Sequence, residues 1–338
     1  MTPEELEKDE YYRSLRRNIR IIVVIVSFIP LIVVSAGILF QFHTSYREKV
    51  RAHLETLVKK HKQNIDHFLR ERQHNIALLA ATYEFEQLSD NDFLAVQLRK
   101  LQDAYGPVFS DIGVVSGDGA QISYAGPFLL AKARYADAEW FQKAIATASY
   151  TSDVFLGLRG FPHFIVTQRS FLDGKPWILR ATVDFMAFND LVESIHIGET
   201  GFAYIINRAG ALQTRTSGRD IPENSPYLSL FEQGETGRDQ ILGGSRYSEK
   251  EGELIYVAGL LKGGQWALIY QQSVRDAYRS LTQARNAAIV VFLLGGIGIV
   301  TMAFVVSQRM VERISEADRE KEIMNQQVIE SGHLASLG

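Results

Sequence analysis

Two stretches of the chain are overwhelmingly apolar and carry no charge: residues 21–42, IIVVIVSFIPLIVVSAGILFQF, and residues 287–306, AAIVVFLLGGIGIVTMAFVV. At 1.5 Å per residue, a helix of ~20 such residues spans the ~30 Å hydrocarbon core of a bilayer. The pattern predicts transmembrane helices over 21–42 and 286–307. The first run is too long for a cleaved leader, and no small-residue cleavage motif follows Phe42. Beyond it the period becomes helical and amphipathic. Val50, Leu54, Leu57, Ile65, Phe68, Ile76 and Leu79 recur between charged positions. One long helix is therefore expected over 43–83, continuous with the first span.

From residue 84 the pattern shortens. Strands are predicted at 111–116 and 121–125 around the turn Gly117-Asp118-Gly119, then a helix over 134–147. Strands at 152–158, 163–170 and 177–184 and a helix over 187–195 complete a distal module, 84–195. A proximal module, 196–272, has strands at 202–207, 211–214, 254–260 and 265–271, with the polar, Gly-rich 217–244 read mostly as loop. The fold class is α+β: two antiparallel sheet modules on a long N-terminal helix, flanked by two transmembrane helices and a C-terminal coiled-coil helix. The domains are a cytoplasmic N-terminus, 1–20; the first span; an extracytoplasmic region, 43–285; the second span; and a cytoplasmic segment, 308–338. Basic residues sit on both sides of the first span, so orientation rests on loop length. A long loop translocates largely regardless of its charge, which puts both termini in the cytoplasm of a bacterial inner membrane and the loop in the periplasm or outside.

Composition acts mainly by exclusion. With 46% hydrophobic residues, 22% charged residues and a net charge of −3, nothing points to nucleic acid. The absence of cysteine excludes disulfides and thiolate chemistry within these residues. His53, His61, His67 and His74 lie along the long helix, but no carboxylate completes a metal shell, so no metal is expected. No phosphate-binding loop, zinc-protease motif or nucleophile elbow occurs, and no cofactor is expected in this chain. Gly295-Gly296-Ile297-Gly298 falls inside the second span, where it favours close helix packing.

The strand at 177–184 alternates. Trp177, Leu179, Ala181 and Val183 share one face; Ile178, Arg180, Thr182 and Asp184 share the other. A polar face of this kind is either pocket or solvated sheet surface. Trp140 and Phe141 are equally candidates for core packing and for ligand contact.

Three segments carry a resemblance: Tyr135–Phe141, YADAEWF; residues 152–157, SDVFLG, followed by Pro162-His163-Phe164; and residues 197–201, IGETG, leading into FAYIIN. In this order, between two spans, they resemble the PAS-like tandem modules of double Cache sensors over residues 43–285. The resemblance implies a distal pocket between sheet and covering helices, with Tyr135, Trp140, Phe141, Phe155, Arg159, His163, Arg180 and Asp184 as ligand-binding residues. Asp184 matches a carboxylate that holds a ligand's amino group in that family. The amino-acid-binding subset has Arg two residues before the Trp; here that position is Ala138, and Arg159, His163 or Arg180 would have to supply the cation. The implied partner is a small carboxylate or amine.

After the second span, Met310, Ile314, Ala317, Lys321, Met324, Val328, Ser331 and Ala335 form a heptad seam, read as a parallel homodimer or as a single amphipathic helix. The final ESGHLASLG resembles the lead-in to the phosphoacceptor helix of sensor histidine kinases, with His333 too early to be the acceptor. By that resemblance the chain is the sensor half of such a kinase. ATP and Mg would belong to the missing kinase domain, and a response regulator to its output. A chemotaxis receptor or a cyclase-type receptor is the alternative.

Overall fold

The computed structural model describes residues 3–128, 130, 132–216, 221, 227–233, 241–248 and 252–335. In chain order the elements are α1 (Pro3–Thr82), α2 (Phe85–Leu88), α3 (Asn91–Tyr105), β1 (Phe109–Ser116), β2 (Gln121–Ala125), α4 (Glu139–Ala146), β3 (Ser149–Thr151), β4 (His163–Leu172), β5 (Lys175–Asp184), α5 (Phe185–Glu193), β6 (Phe202–Asn207), α6 (Ser229–Gln233), β7 (Ile241–Ser248), β8 (Gly252–Leu261), β9 (Trp266–Ser273), α7 (Val274–Ala277) and α8 (Arg279–Ala335). They form two units: residues 1–49 with 278–338, and residues 50–277.

In the first unit the N-terminal part of α1 runs antiparallel to α8. Lys8 bridges Glu322 at 2.7 Å and the Tyr12 hydroxyl donates to Asp318 at 3.0 Å. The Ser307 hydroxyl donates to the Arg16 carbonyl, and the Arg20 guanidinium lies 4.0 Å from the centre of the Phe304 ring. Ala303, Ser307 and Val311 are buried, one helical turn apart. A Cβ on Gly296 would stand 3.2 Å from the Phe28 ring, so the glycine is what lets that ring lie so close to the backbone. Both helices are long and apolar enough to cross a membrane. Met310, Ile314, Met324 and Val328 lie exposed along α8.

The second unit is built on the rest of α1. Its stripe Leu54, Val58, Ile65, Leu69 and Ile76 is buried in one core with residues of two antiparallel sheets, ordered β2-β1-β5-β4-β3 and β6-β9-β8-β7. The period-2 pattern of β5 does what its sequence dictates: Trp177, Leu179, Ala181 and Val183 enter this core, while Ile178 joins a second cluster under α4.

Several expected boundaries move. The helix expected over 134–147 begins only at Glu139, because Arg134 bridges Ala120 and the Tyr135 N–H bonds the Gly119 carbonyl. The strand expected at 152–158 lies earlier, at β3; the later residues make one bridge, Phe155 to His163, and a 3₁₀ turn. Gly157 sits there at φ +54, where a Cβ would meet Phe155 at 2.8 Å, so a strand cannot run through it. Residues 211–214 form only the Ile206–Leu212 bridge. The presumed loop 217–244 contains α6 and the start of β7, although part of it lies outside the described residues. So do residues 336–338 and the side chains of Ser331, His333 and Ala335.

Candidate functional site

A cavity of about 520 Å³ opens among α4, the segment 150–158 and the outward face of β4 and β5. Its roof follows from the amphipathic pattern of α4, which buries Trp140, Phe141 and Ala144 against Val115, Ile165 and Ile178. Tyr135 and Trp140 meet edge to face at 5.0 Å. Of the residues singled out in the sequence, Tyr135, Trp140, Phe155, His163 and Arg180 line the cavity. Phe141 is core beneath it, T-stacked on Trp140 at 5.9 Å. The Arg159 side chain lies outside the described residues.

Arg180 is 1% exposed and its charge is already answered. Nη1 donates to Asp111 at 2.8 Å and to the Thr182 hydroxyl, while Nη2 donates to Gln121 at 3.0 Å and to the Tyr135 hydroxyl. Burial works against the guanidinium charge, but Asp111, through its charge and hydrogen bond, together with Tyr135 and Tyr124 reverses that and raises the pKa. This side chain is the centre of a buried network within the distal sheet, spanning β1, β2 and β5, so a ligand carboxylate would have to share it with Asp111.

Asp184 is placed differently from the ligand-holding position implied by the sequence resemblance. It ends β5 and caps α5, its carboxylate accepting from the Ala187 N–H at 3.0 Å, and it is absent from the cavity wall. Asp184→Ala is expected to lower stability by about 1 kcal/mol, the worth of an N-cap. A thermal melt of the full chain checks this; an unchanged midpoint would contradict the capping role.

The cavity also has walls that sequence reasoning did not single out. Lys143, Tyr150, Ser152, Asp153, Val154 and Leu158 line it, and Asn207 reaches it from β6 of the other sheet. Asp153 accepts from three donors of the proximal module: Trp266 Nε1 at 2.6 Å, Asn207 Nδ2 at 2.8 Å and Lys262 Nζ at 3.2 Å. Burial alone would raise the Asp153 pKa; the Trp266 hydrogen bond and the Lys262 charge reverse that and hold it low. Val154 N–H bonds Gln213 at 2.7 Å. The cavity floor is thus fastened to the second sheet. The one available signal was Asp153 itself, a carboxylate inside the strand expected at 152–158; its partners are 54 to 113 residues away.

Residues 42–281 match the Cache domain family. Among solved structures, the ligand-binding domain of the Campylobacter jejuni chemoreceptor Tlp3 in complex with 4-methylisoleucine is similar at TM-score 0.54 and 12% identity, covering 70% of this chain and 95% of that one. The extracellular domain of the putative histidine kinase soHK1S-Z6 is similar at TM-score 0.53 and 11% identity, covering 70% and 99%. That of the putative histidine kinase mmHK1S-Z3 gives 0.51 and 14%, covering 71% and 98%. No curated protein matches the chain.

Proposed function

The chain belongs to the Cache domain family, and from that premise we propose that it is a transmembrane receptor whose distal cavity binds a small molecule outside the cell. The observation that carries this reading is the cavity of about 520 Å³, of a size for a small ligand, with an aromatic roof and a polar floor tied to the second sheet. The two modules act as a double Cache sensor, and the two long apolar helices are its membrane spans. Tyr135, Trp140, Phe155, His163 and Arg180, joined by Asp153, form the ligand-facing set. The receptor works as a parallel homodimer. Met310, Ile314, Met324 and Val328 support this, being exposed on the chain by itself while the Ala303–Ser307–Val311 face is already occupied. The output is that of a sensor histidine kinase, on the strength of the C-terminal ESGHLASLG.

One experiment addresses site and output together. Single cysteines at Ile314 or Met324, in a protein without any other cysteine, should cross-link between copies. A ligand found by thermal shift among small amines, carboxylates and amino acids should change the yield, since it can act only through unequal affinity for two arrangements. Val154→Trp, which fills the cavity, should remove the change. A yield that responds to ligand equally in Val154→Trp would place the site elsewhere.

A further inference from the structure

We propose that the N-terminal end of the first span is a binding site for the phosphate of an anionic phospholipid headgroup, held by a stripe of arginines on α1. The proposal rests on the reading of α1 and α8 as membrane spans and is independent of the distal cavity.

The stripe is written in the sequence. Arg13, Arg16, Arg17 and Arg20 follow one another by three, one and three residues. All four lie on the single helix α1, where steps of 100° per residue gather them within an arc of about 100°. The apolar run begins at the next residue, Ile21. At 1.5 Å per residue, Arg20, Arg17 and Arg16 stand ~1.5, ~6 and ~7.5 Å from it along the axis, and Arg13 ~12 Å. The headgroup layer beside a ~30 Å hydrocarbon core is ~5–7 Å deep. Three of the four therefore start in that layer or at its edge, and a long side chain brings the fourth within reach.

Nothing nearby in the chain answers their charge. Between Glu10 and Glu48 there is no acidic residue. The acids of α8 that meet α1 lie farther from the apolar run and are already engaged, Asp318 by Tyr12 and Glu322 by Lys8. Arg16 and Arg17 are exposed, and among the described residues neither has a carboxylate partner. Arg20 rests 4.0 Å from the centre of the Phe304 ring. That contact uses the face of the guanidinium and leaves its in-plane N–H groups for an acceptor; Nε finds none among the described residues.

The residue type fits the ligand. There is no lysine between Lys8 and Lys49, so every cation at this level is a guanidinium, whose planar fork takes phosphate oxygens two at a time. The end of the second span offers a contrast. Arg309 and Arg313 stand at a comparable distance beyond Val306, but they are two rather than four, and Glu312 and Glu316 flank Arg313. The stripe also lies beside the joint of the two helices, since the Arg16 carbonyl accepts from Ser307 and Arg20 meets Phe304. A headgroup held by the stripe is seated where α1 and α8 touch.

The test uses the full chain in nanodiscs of phosphatidylcholine with phosphatidylglycerol as the minor lipid. The lipids that stay with the chain on release from the disc are counted by native mass spectrometry. The parent should retain phosphatidylglycerol several-fold above its share of the disc. Arg16→Gln with Arg17→Gln should lower that preference about tenfold or more, the loss of two basic residues at the headgroup level. Arg309→Gln with Arg313→Gln removes the same charge from α8 and should lower it much less. An unchanged preference in the Arg16 and Arg17 variant overturns the proposal. An equal fall in both variants also overturns it, because the basic end of the protein would then attract anionic lipid without a site. Displacement of the retained lipid by soluble glycerol phosphate would show a site for a free phosphate and not for a lipid. A chain that does not enter the discs brings down the reading of the spans, and this proposal with it; a chain that enters them without enriching phosphatidylglycerol brings down the proposal alone.

Discussion

Asp111→Ala is expected to destabilise the chain by about 3–5 kcal/mol, because it leaves the Arg180 guanidinium buried without its counter-charge. Both side chains are almost fully buried and joined at 2.8 Å, and Arg180 Nε has no hydrogen-bond partner to fall back on. Arg180→Ala should cost a similar amount by stranding the carboxylate. Replacing both by apolar residues of similar volume, Asp111→Leu with Arg180→Met, should recover most of the loss, since two buried charges are removed together. Unfolding in urea, followed by tryptophan fluorescence, reads all three variants. An Asp111→Ala midpoint equal to that of the parent would show that the pair carries no structural weight. The same reasoning makes Arg180 a poor choice for a variant meant to remove ligand and spare the fold.

Trp266→Ala should cost about 3–5 kcal/mol, the usual range for deleting a large buried aromatic side chain. Trp266 is fully buried on β9, and its ring lies 5.7 Å from Phe188 and 6.1 Å from Phe164, side chains of the distal module. Its indole N–H is the nearest donor to Asp153. Trp266→Phe separates packing from hydrogen bonding. It keeps most of the apolar bulk and removes the donor, for an expected loss of about 1 kcal/mol, because Lys262 and Asn207 still serve the carboxylate. If the two variants melt together, the hydrogen bond and not the packing joins the modules.

What could be read from the sequence was what repeats locally. The apolar runs, the stripe from Leu54 to Ile76 and the alternation of Trp177–Asp184 follow from helical and strand periods, and they appear as α1, α8 and β5. What escaped depended on distant partners. The late start of α4 is set by the bridge of Arg134 to Ala120. The strand β7 was concealed by Gly243 and Gly244, which are poor strand formers; a Cβ on Gly244 would stand 2.8 Å from the Tyr256 hydroxyl. Arg180 was correctly placed on the polar face of its strand. That face, however, is closed by Asp111, 69 residues earlier, and no local pattern announces such a partner. Asp184 shows the opposite difficulty, since a carboxylate at the end of a strand and the start of a helix suits a cap and a ligand equally well until the geometry is known.

The place of β9 in its sheet has a mechanical consequence. It is hydrogen-bonded along both edges, to β6 on one side and β8 on the other, and it passes into α7 without an intervening loop. A pull along its axis, entering at α7, loads both ladders in shear, so that many hydrogen bonds resist at once. An edge strand pulled sideways would unzip, its bonds failing one by one. The chain leaves the sheet through one of its two interior strands, so a displacement arriving there is shared between two ladders.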